Sequence, residues 1–347
     1  MLTQISTQQD LYLAFVKARS CKRYKKTILT FNFNLERNLL KVQQRLISPN
    51  YTPDKYVCFT VHDPKLRLIS APSFEDRIIH QILFKILDPM YDKVFIYDSY
   101  ACRINKGTHF GMRRVKKFLQ AARSQYGPSQ DIYCLKMDIR KYFPSISWDI
   151  LIKILEKQIE SPDMLKILKT IITTHTLTDL NRKIITDTKI LSPEERRGIP
   201  IGNLTSQLFA NIYLNKFDQF VKHKLKVKWY ARYMDDFLII HPDKKYLWEL
   251  KAQIEEFLQI QLKLQLHPDK IYLDNVKNGI SFVGYRIFYD HVTIKGKTLQ
   301  RMRRKYKKRL KSERKHHTGM FVRTKASMRG HLQMADTFGL RKNMRLV

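Results

Sequence analysis

Three aspartates carry the chemistry that this chain advertises. Asp138 stands in CLKMDIRKYFPSI, at the end of a run that alternates like a strand. Asp235 and Asp236 stand together in WYARYMDDFLII, between two apolar runs of strand composition. A carboxylate at the end of a buried strand is unfavourable unless a cation holds it. Adjacent carboxylates also raise each other's pKa. Asp-Asp at a hairpin is by itself ordinary turn chemistry. Three such acids in a strongly basic chain are a different matter. Oxygen donors of this kind suit hard divalent cations, and a pair of such ions about 4 Å apart clamps the attacking and leaving oxygens of phosphoryl transfer. Two Mg2+ ions are expected, with Mn2+ able to substitute.

The composition points the same way. The 347 residues include 65 Lys+Arg against 31 Asp+Glu, a formal charge of +34, which calls for a polyanionic partner. With 44% apolar and 12% aromatic residues, the chain has ample material for cores. No run of about 20 apolar residues exists, so no membrane partner is expected. MLTQISTQQDLY lacks the basic start and apolar stretch of a secretory leader. Cys21, Cys58, Cys102 and Cys134 stand far apart, which argues against a disulfide framework or a zinc site. A reduced, cytoplasmic protein is the expectation.

Elements must position these acids, and the pattern is mixed α and β. Helices are expected over 6–19 (capped by Ser6 or Thr7), 35–47, 75–87, 148–159 and 204–223, the last carrying Leu204, Leu208 and Ile212 at helical spacing. Strands are expected over 56–60, 66–70, 132–139, 228–233 and 237–241. Residues 286–347 hold 19 Lys/Arg and 3 acids. Their densest run, Arg301–His317, has a thin apolar stripe at Tyr306 and Leu310, as an anchored helix facing phosphates would. Ser327–Leu340 reads as packed rather than tail-like.

In this setting Tyr233-Met234-Asp235-Asp236 resembles the signature turn of reverse transcriptases, and the rest of that family's series follows in order. Lys65-Leu66-Arg67 with Glu75-Asp76-Arg77-Ile78, Ser99–Arg103 with Gly107-Thr108-His109, and Asp138 with Phe143 are similar to its first motifs. Gly198–Gly202 with Ser206-Gln207, His267–Lys270 and Phe282–Tyr285 are similar to its later ones. The resemblance covers about residues 50–290. It implies an RNA-directed DNA polymerase with an α+β right-hand fold: fingers in 1–100 with part of 160–197, a palm with an antiparallel sheet in 101–288, and a basic helical thumb in 289–347.

The resemblance also assigns roles. Asp138 and Asp235 become the main metal ligands, assisted by Asp236 and the Ile139 carbonyl. Lys65 and Arg67 neutralise the triphosphate of an incoming dNTP. Phe143 screens the sugar 2′ position, where RNA and DNA differ. Ile201, Gly202 and Gln207 line the nascent pair, and Lys270 is placed to protonate pyrophosphate. Tyr233, Gly284 and Tyr285 meet nucleic acid, as do Arg301, Arg303, Arg304, Lys305, Lys307 and Lys308. The partners implied are a template RNA, the RNA/DNA hybrid and dNTPs.

One departure narrows the resemblance. Most reverse transcriptases read Pro-Gln-Gly and then Ser-Pro where this chain has Pro200-Ile201-Gly202 and Ser206-Gln207. That pattern resembles the enzymes of diversity-generating retroelements. These make adenine-mutagenised cDNA and work with a small basic accessory protein that forms an oligomer, in bacteria, archaea or phages. Compact enzymes of group II intron-like, retron or phage-defence type are the alternatives. A catalytically silent RNA-binding scaffold is a third reading, but a scaffold has no use for three acids in a basic cleft. The 62 residues after Tyr285 are too few for a thumb and an RNase H domain, and no His-Asn-His pattern with cysteines marks an endonuclease.

Overall fold

The computed structural model describes residues 7–62, 66–174, 196–316 and 319–346. Its elements follow in chain order. First come helices α1 (Gln8–Ala18), α2 (Lys26–Phe33) and α3 (Leu35–Ile47), strands β1 (Val57–His62) and β2 (Leu66–Ala71), and helices α4 (Phe74–Asp92) and α5 (Thr108–Tyr126). Strand β3 (Tyr133–Asp138) leads to α6 (Tyr142–Ser145), α7 (Trp148–Glu156), α8 (Pro162–Thr173) and α9 (Leu204–Gln219). Strands β4 (Trp229–Tyr233) and β5 (Asp236–His241), helix α10 (Lys244–Leu262) and strands β6 (Tyr272–Asn275), β7 (Ile280–Phe282), β8 (Tyr285–Ile287) and β9 (Val292–Ile294) follow. Helices α11 (Gly296–His316), α12 (Met320–Leu332) and α13 (Phe338–Asn343) end the chain.

Most of the expected elements are present, with adjusted ends. Thr7 caps α1 by accepting from the Asp10 amide, and α3 spans the expected residues. Helix α4 runs on through Pro89, five residues beyond its expected end at Leu87. A proline inside a helix costs about 3 kcal/mol. Burial of Leu87 and Tyr91, one helical turn apart, supplies the opposing gain. The 204–223 helix changes at Phe220 into a single π turn over Phe220–Lys224.

The chain forms two compact units. The first comprises residues 1–96, 139–220 and 255–265. Here β1 and β2 pair antiparallel, and the rings of Phe15, Phe31 and Phe74 meet at 5.1–6.0 Å between centroids. Asp76, at the start of α4, has no exposed surface. It accepts from the Asp54 amide at 2.7 Å, the Arg45 guanidinium at 3.1 Å and the Tyr51 hydroxyl at 3.2 Å. Arg45 also reaches Glu75 at 2.9 Å, so both acids of the Glu75-Asp76 motif serve the anchoring of α4.

The second unit comprises residues 97–138, 221–254 and 266–347. It holds an antiparallel four-stranded sheet in the order β4-β5-β3-β6 and a three-stranded sheet in the order β7-β8-β9. One core gathers Met112, Val115 and Leu119 of α5, Leu238 and Ile240 of β5, and Met328 and Leu332 of α12. Leu299, Met302 and Tyr306 pack α11 against that core, so the basic helix is anchored along one stripe. Among the described residues, no helix is long and apolar enough to cross a membrane.

His80 on α4 offers a test of the first unit. Its Nδ1 lies 2.8 Å from Thr205 Oγ1 on α9, and burial pushes the imidazole down to about 4. An unfolded histidine titrates near 6.5. The folded unit therefore binds fewer protons than the unfolded chain between those values. Stability is full above about pH 6.5 and declines as pH falls toward about 4, by up to about 3 kcal/mol. His80→Asn is expected to flatten this part of the profile in urea unfolding, and parallel profiles for variant and parent would refute the assignment.

Candidate active site

The acids of the second unit are placed by a β-ladder. On adjacent antiparallel strands, Asp138 of β3 lies directly opposite Asp236 of β5, and Asp236 in turn pairs with Tyr233 of β4. Directly opposed residues share a face and bring their Cβ atoms to about 5 Å. Asp235 occupies the two-residue turn Met234-Asp235 that joins β4 to β5. Met234 has φ +57°, in a turn class whose first central position favours glycine. Such backbone costs about 1–3 kcal/mol and persists only where the surroundings impose it.

The surroundings here are explicit. The guanidinium of Arg232, wholly buried, donates to the Met234 carbonyl at 3.0 Å. The backbone of Arg232 pairs with the segment before α5: its amide donates to the Asp98 carbonyl and its carbonyl accepts from the Tyr100 amide, both at 3.0 Å. Asp98 is gripped by Arg114 at 2.8 Å and by the Tyr100 hydroxyl at 2.9 Å. A Cβ at Gly111 would lie 2.7 Å from the Tyr100 ring. The Ser99–Arg103 motif is thus a brace for β4, a role its residue types did not reveal.

Lysines hold the carboxylates. Lys136 Nζ lies 2.8 Å from Asp236 Oδ2, and Lys270 donates to Asp138 Oδ1. The Asp138 carbonyl accepts from the His267 amide at 2.8 Å, which fastens the turn carrying Lys270 to the end of β3. Burial pushes the Asp236 carboxyl up to about 6, Lys136 opposes that rise, and the charges of Asp138 and Asp235 add to it. Asp236 Oδ1 is buried without a hydrogen-bond partner. Lys136 escaped the sequence reading. Its signal is its position two residues before Asp138, which places both side chains on one face of β3.

The donor chemistry fits a hard divalent cation: opposed carboxylates, one with an orphaned oxygen, and no sulfur or imidazole among them. Among the described residues, however, no group of three or more His, Cys, Asp or Glu is gathered as a metal cage. The lysine ammoniums are the counter-ions in place.

The remaining expected residues fall in both units. In the second, Tyr233 is half-buried against the core, and Gly284 (φ +93°) with Val283 (φ +45°) forms the two-residue turn between β7 and β8. Tyr285 lies at the start of β8. Its ring is fully buried and its hydroxyl donates to the His331 carbonyl at 3.0 Å, so it is a core residue. Arg301, Arg303, Arg304, Lys305, Lys307 and Lys308 are exposed on α11.

The first unit holds Arg67, exposed on β2, together with Ile139, Phe143, Ile201, Gly202 and Gln207. Lys65 lies outside the described residues. The Ile201 carbonyl accepts from the Ser70 amide at 2.9 Å. Gly202 has φ +143°, and a Cβ there would lie 2.4 Å from the Ser70 carbonyl oxygen, so no other residue fits this close approach to β2. The half-buried Phe143 has its carbonyl bonded by the Ile199 amide at 3.1 Å, which ties it to the loop carrying Ile201. Ile139 is buried, and Gln207 is exposed on α9.

Comparison with known proteins identifies the arrangement. The family model described as "Reverse transcriptase (RNA-dependent DNA polymerase)" matches residues 61–287. Protein YkfC of Escherichia coli (strain K12) is 26% identical over 297 residues, covering 76% of this chain and 74% of that protein. Group II intron-encoded protein LtrA of Lactococcus lactis subsp. cremoris is 22% identical, covering 73% of this chain and 50% of that protein. Apo telomerase from Candida tropicalis, truncated from its C-terminal domain, superposes with a TM-score of 0.51 at 15% identity, covering 72% of this chain and 56% of the other. Telomerase from Candida albicans in complex with the TWJ fragment of telomeric RNA gives 0.51 at 14% identity, covering 75% and 51%. The chain thus spans about half the length of LtrA and of the telomerase chains. The likeness to the solved structures shows the fold, that of the right-hand polymerases.

The strained turn is open to a direct test. Met234→Val adds β-branching at a positive φ and is expected to cost about 1–2 kcal/mol in chemical unfolding. Met234→Gly removes the steric penalty and should be neutral or stabilising. A valine variant as stable as the parent would exclude strain at this turn.

Proposed function

The chain belongs to the reverse transcriptase (RNA-dependent DNA polymerase) family, and from that premise we propose that it copies a template RNA into cDNA by two-metal nucleotidyl transfer. The observation that carries this reading is the opposition of Asp138 and Asp236 across one ladder rung, beside the strained turn that holds Asp235. In it, Asp138, Asp235 and Asp236, with the Ile139 carbonyl, hold two Mg2+ ions, Mn2+ substituting. Bound there, the ions supply charge stabilisation for the attacking and leaving oxygens.

The protein's own groups do the rest. Lys65 and Arg67 neutralise the triphosphate of the incoming dNTP. Phe143, fixed to the 199–202 loop through its carbonyl, excludes a ribose 2′-hydroxyl by contact. Lys270, paired with Asp138 in the resting site, serves as the proton donor to departing pyrophosphate. Tyr233, Gly284 and the cations of α11 bind the template–primer backbone. Residues 1–100 with part of 160–197 serve as fingers, 101–288 as palm and 289–347 as thumb, and the enzyme acts in the cytoplasm.

We further assign it to a diversity-generating retroelement, with a small basic accessory protein as partner. Pro200-Ile201-Gly202 and Ser206-Gln207 support this. Gly202 seats the loop on β2 by backbone alone, which leaves the identity of residue 201 free to set discrimination. An isoleucine there offers shape but no hydrogen bond. The likeness to LtrA supports a second reading, a compact enzyme of group II intron-like type.

Two experiments decide. In primer extension on an RNA template, Asp235→Ala is expected to abolish extension while RNA affinity stays within about twofold of the parent. Extension by that variant would overturn the metal assignment. The error spectrum of the parent should show elevated misincorporation opposite template adenine. Ile201→Gln should lower it by about fivefold, as one hydrogen bond of about 1 kcal/mol permits. Equally accurate spectra would favour the group II intron-like reading.

A further inference from the structure

Lys136 joins two sheets. Its ammonium lies 2.8 Å from Asp236 Oδ2 on β5 and donates to the Ser281 carbonyl on β7 at 2.7 Å, with the Phe282 ring centroid at 5.8 Å. Strands β3 and β5 belong to the sheet that carries the acids, whereas β7 belongs to the sheet whose next turn holds Gly284. An ammonium has three donors and no acceptor. Two of them are committed to partners on different sheets. Such immobilisation is unfavourable for a long side chain. It also leaves the two Asp236 oxygens unequal: Oδ2 is bound, and Oδ1 is buried and unpartnered.

We infer that Lys136 is a positioning residue for nucleotidyl transfer: it selects the Asp236 oxygen offered to a cation and ties the Gly284 hairpin to that choice. Occupancy of the cation site and grip on the hybrid are therefore coupled. The inference rests on the polymerase reading of the site. It carries a distinctive sign. A fixed positive charge beside Asp236 weakens the attraction of that carboxylate for a second cation. Removing it tightens cation binding and, by releasing the carboxylate and the hairpin, slows chemistry. A lysine that merely stabilised the sheet would move both quantities in the same unfavourable direction.

The test compares full-length parent, Lys136→Met and Lys136→Arg. Terbium(III) luminescence reads cation binding without turnover, fluorescence anisotropy reads RNA/DNA hybrid binding with and without Mg2+, and rapid quench reads single-nucleotide addition at saturating Mg2+. Lys136→Met is expected to bind terbium about tenfold more tightly. It should add a nucleotide about 100-fold more slowly, the scale of a misplaced catalytic group, and lose the Mg2+ dependence of hybrid affinity. Lys136→Arg, which keeps the charge and the donors, should recover most of the rate. Should Lys136→Met fail to fold, Lys136→Gln carries the same comparison. Weaker terbium binding together with slower addition, or an unchanged rate of addition, would overturn the inference. If the parent adds no nucleotide, the polymerase reading falls, and terbium affinity with the Mg2+ dependence of hybrid binding decides the role of Lys136.

Discussion

Opposition of two carboxylates across one rung of an antiparallel ladder is the constraint that the second unit is built to satisfy. Like charges directly opposed on a sheet are destabilising, and burial adds to that at Asp236, whose carboxyl is pushed up to about 6. Apolar packing cannot offset such a term. Local positive charge can, and it arrives from two sides: Lys136 from within β3 and Lys270 from the turn that follows α10. Each ammonium is itself fixed. Lys136 is held by Ser281, and the Lys270 turn is fastened by the backbone bond between His267 and Asp138. The acids therefore organise the elements around them as much as the elements position the acids.

A second constraint follows from the first. Asp235 reaches the end of the ladder only through a two-residue turn with Met234 at positive φ. The strain is contained by a buried guanidinium beneath it and by the Asp98–Arg114–Tyr100 brace beside it. A wholly buried arginine is unfavourable by desolvation, so its presence under a short hairpin is best understood as the means of imposing that turn. Removing either support would let the turn relax toward ordinary geometry and carry Asp235 with it.

Much of this was legible in residue order. The strand ending at Asp138, the hairpin around Asp235, helix 35–47 and all but the last turn of the helix expected over 204–223 follow from periodicity and turn chemistry alone. Helix α5 also has a readable stripe, with Met112, Val115, Leu119 and Ala122 buried at helical spacing, but Arg113, Arg114, Lys116 and Lys117 between them make it look solvated. Lys136 was missed because a lone lysine is ordinarily placed at the surface. Only the register shows that it faces Asp236. Tyr285, which the resemblance assigns to nucleic-acid contact, has its ring buried and its hydroxyl on His331 within the same unit. Long-range pairing decided both positions, and no local pattern encodes it.

The same reasoning clarifies the basic surplus. A helix with the charge density of α11 would fray in isolation, because like charges one turn apart repel. Leu299, Met302 and Tyr306 pin it to the core, and Tyr306 meets the Phe321 ring of α12 at 5.2 Å. Pinned, its cations become a fixed field rather than a mobile tail. A fixed field can bind a phosphate backbone in one register. Lysine also serves the aspartates directly, Lys136 on Asp236 and Lys270 on Asp138. The basic surplus and the cluster of aspartates are thus not independent features.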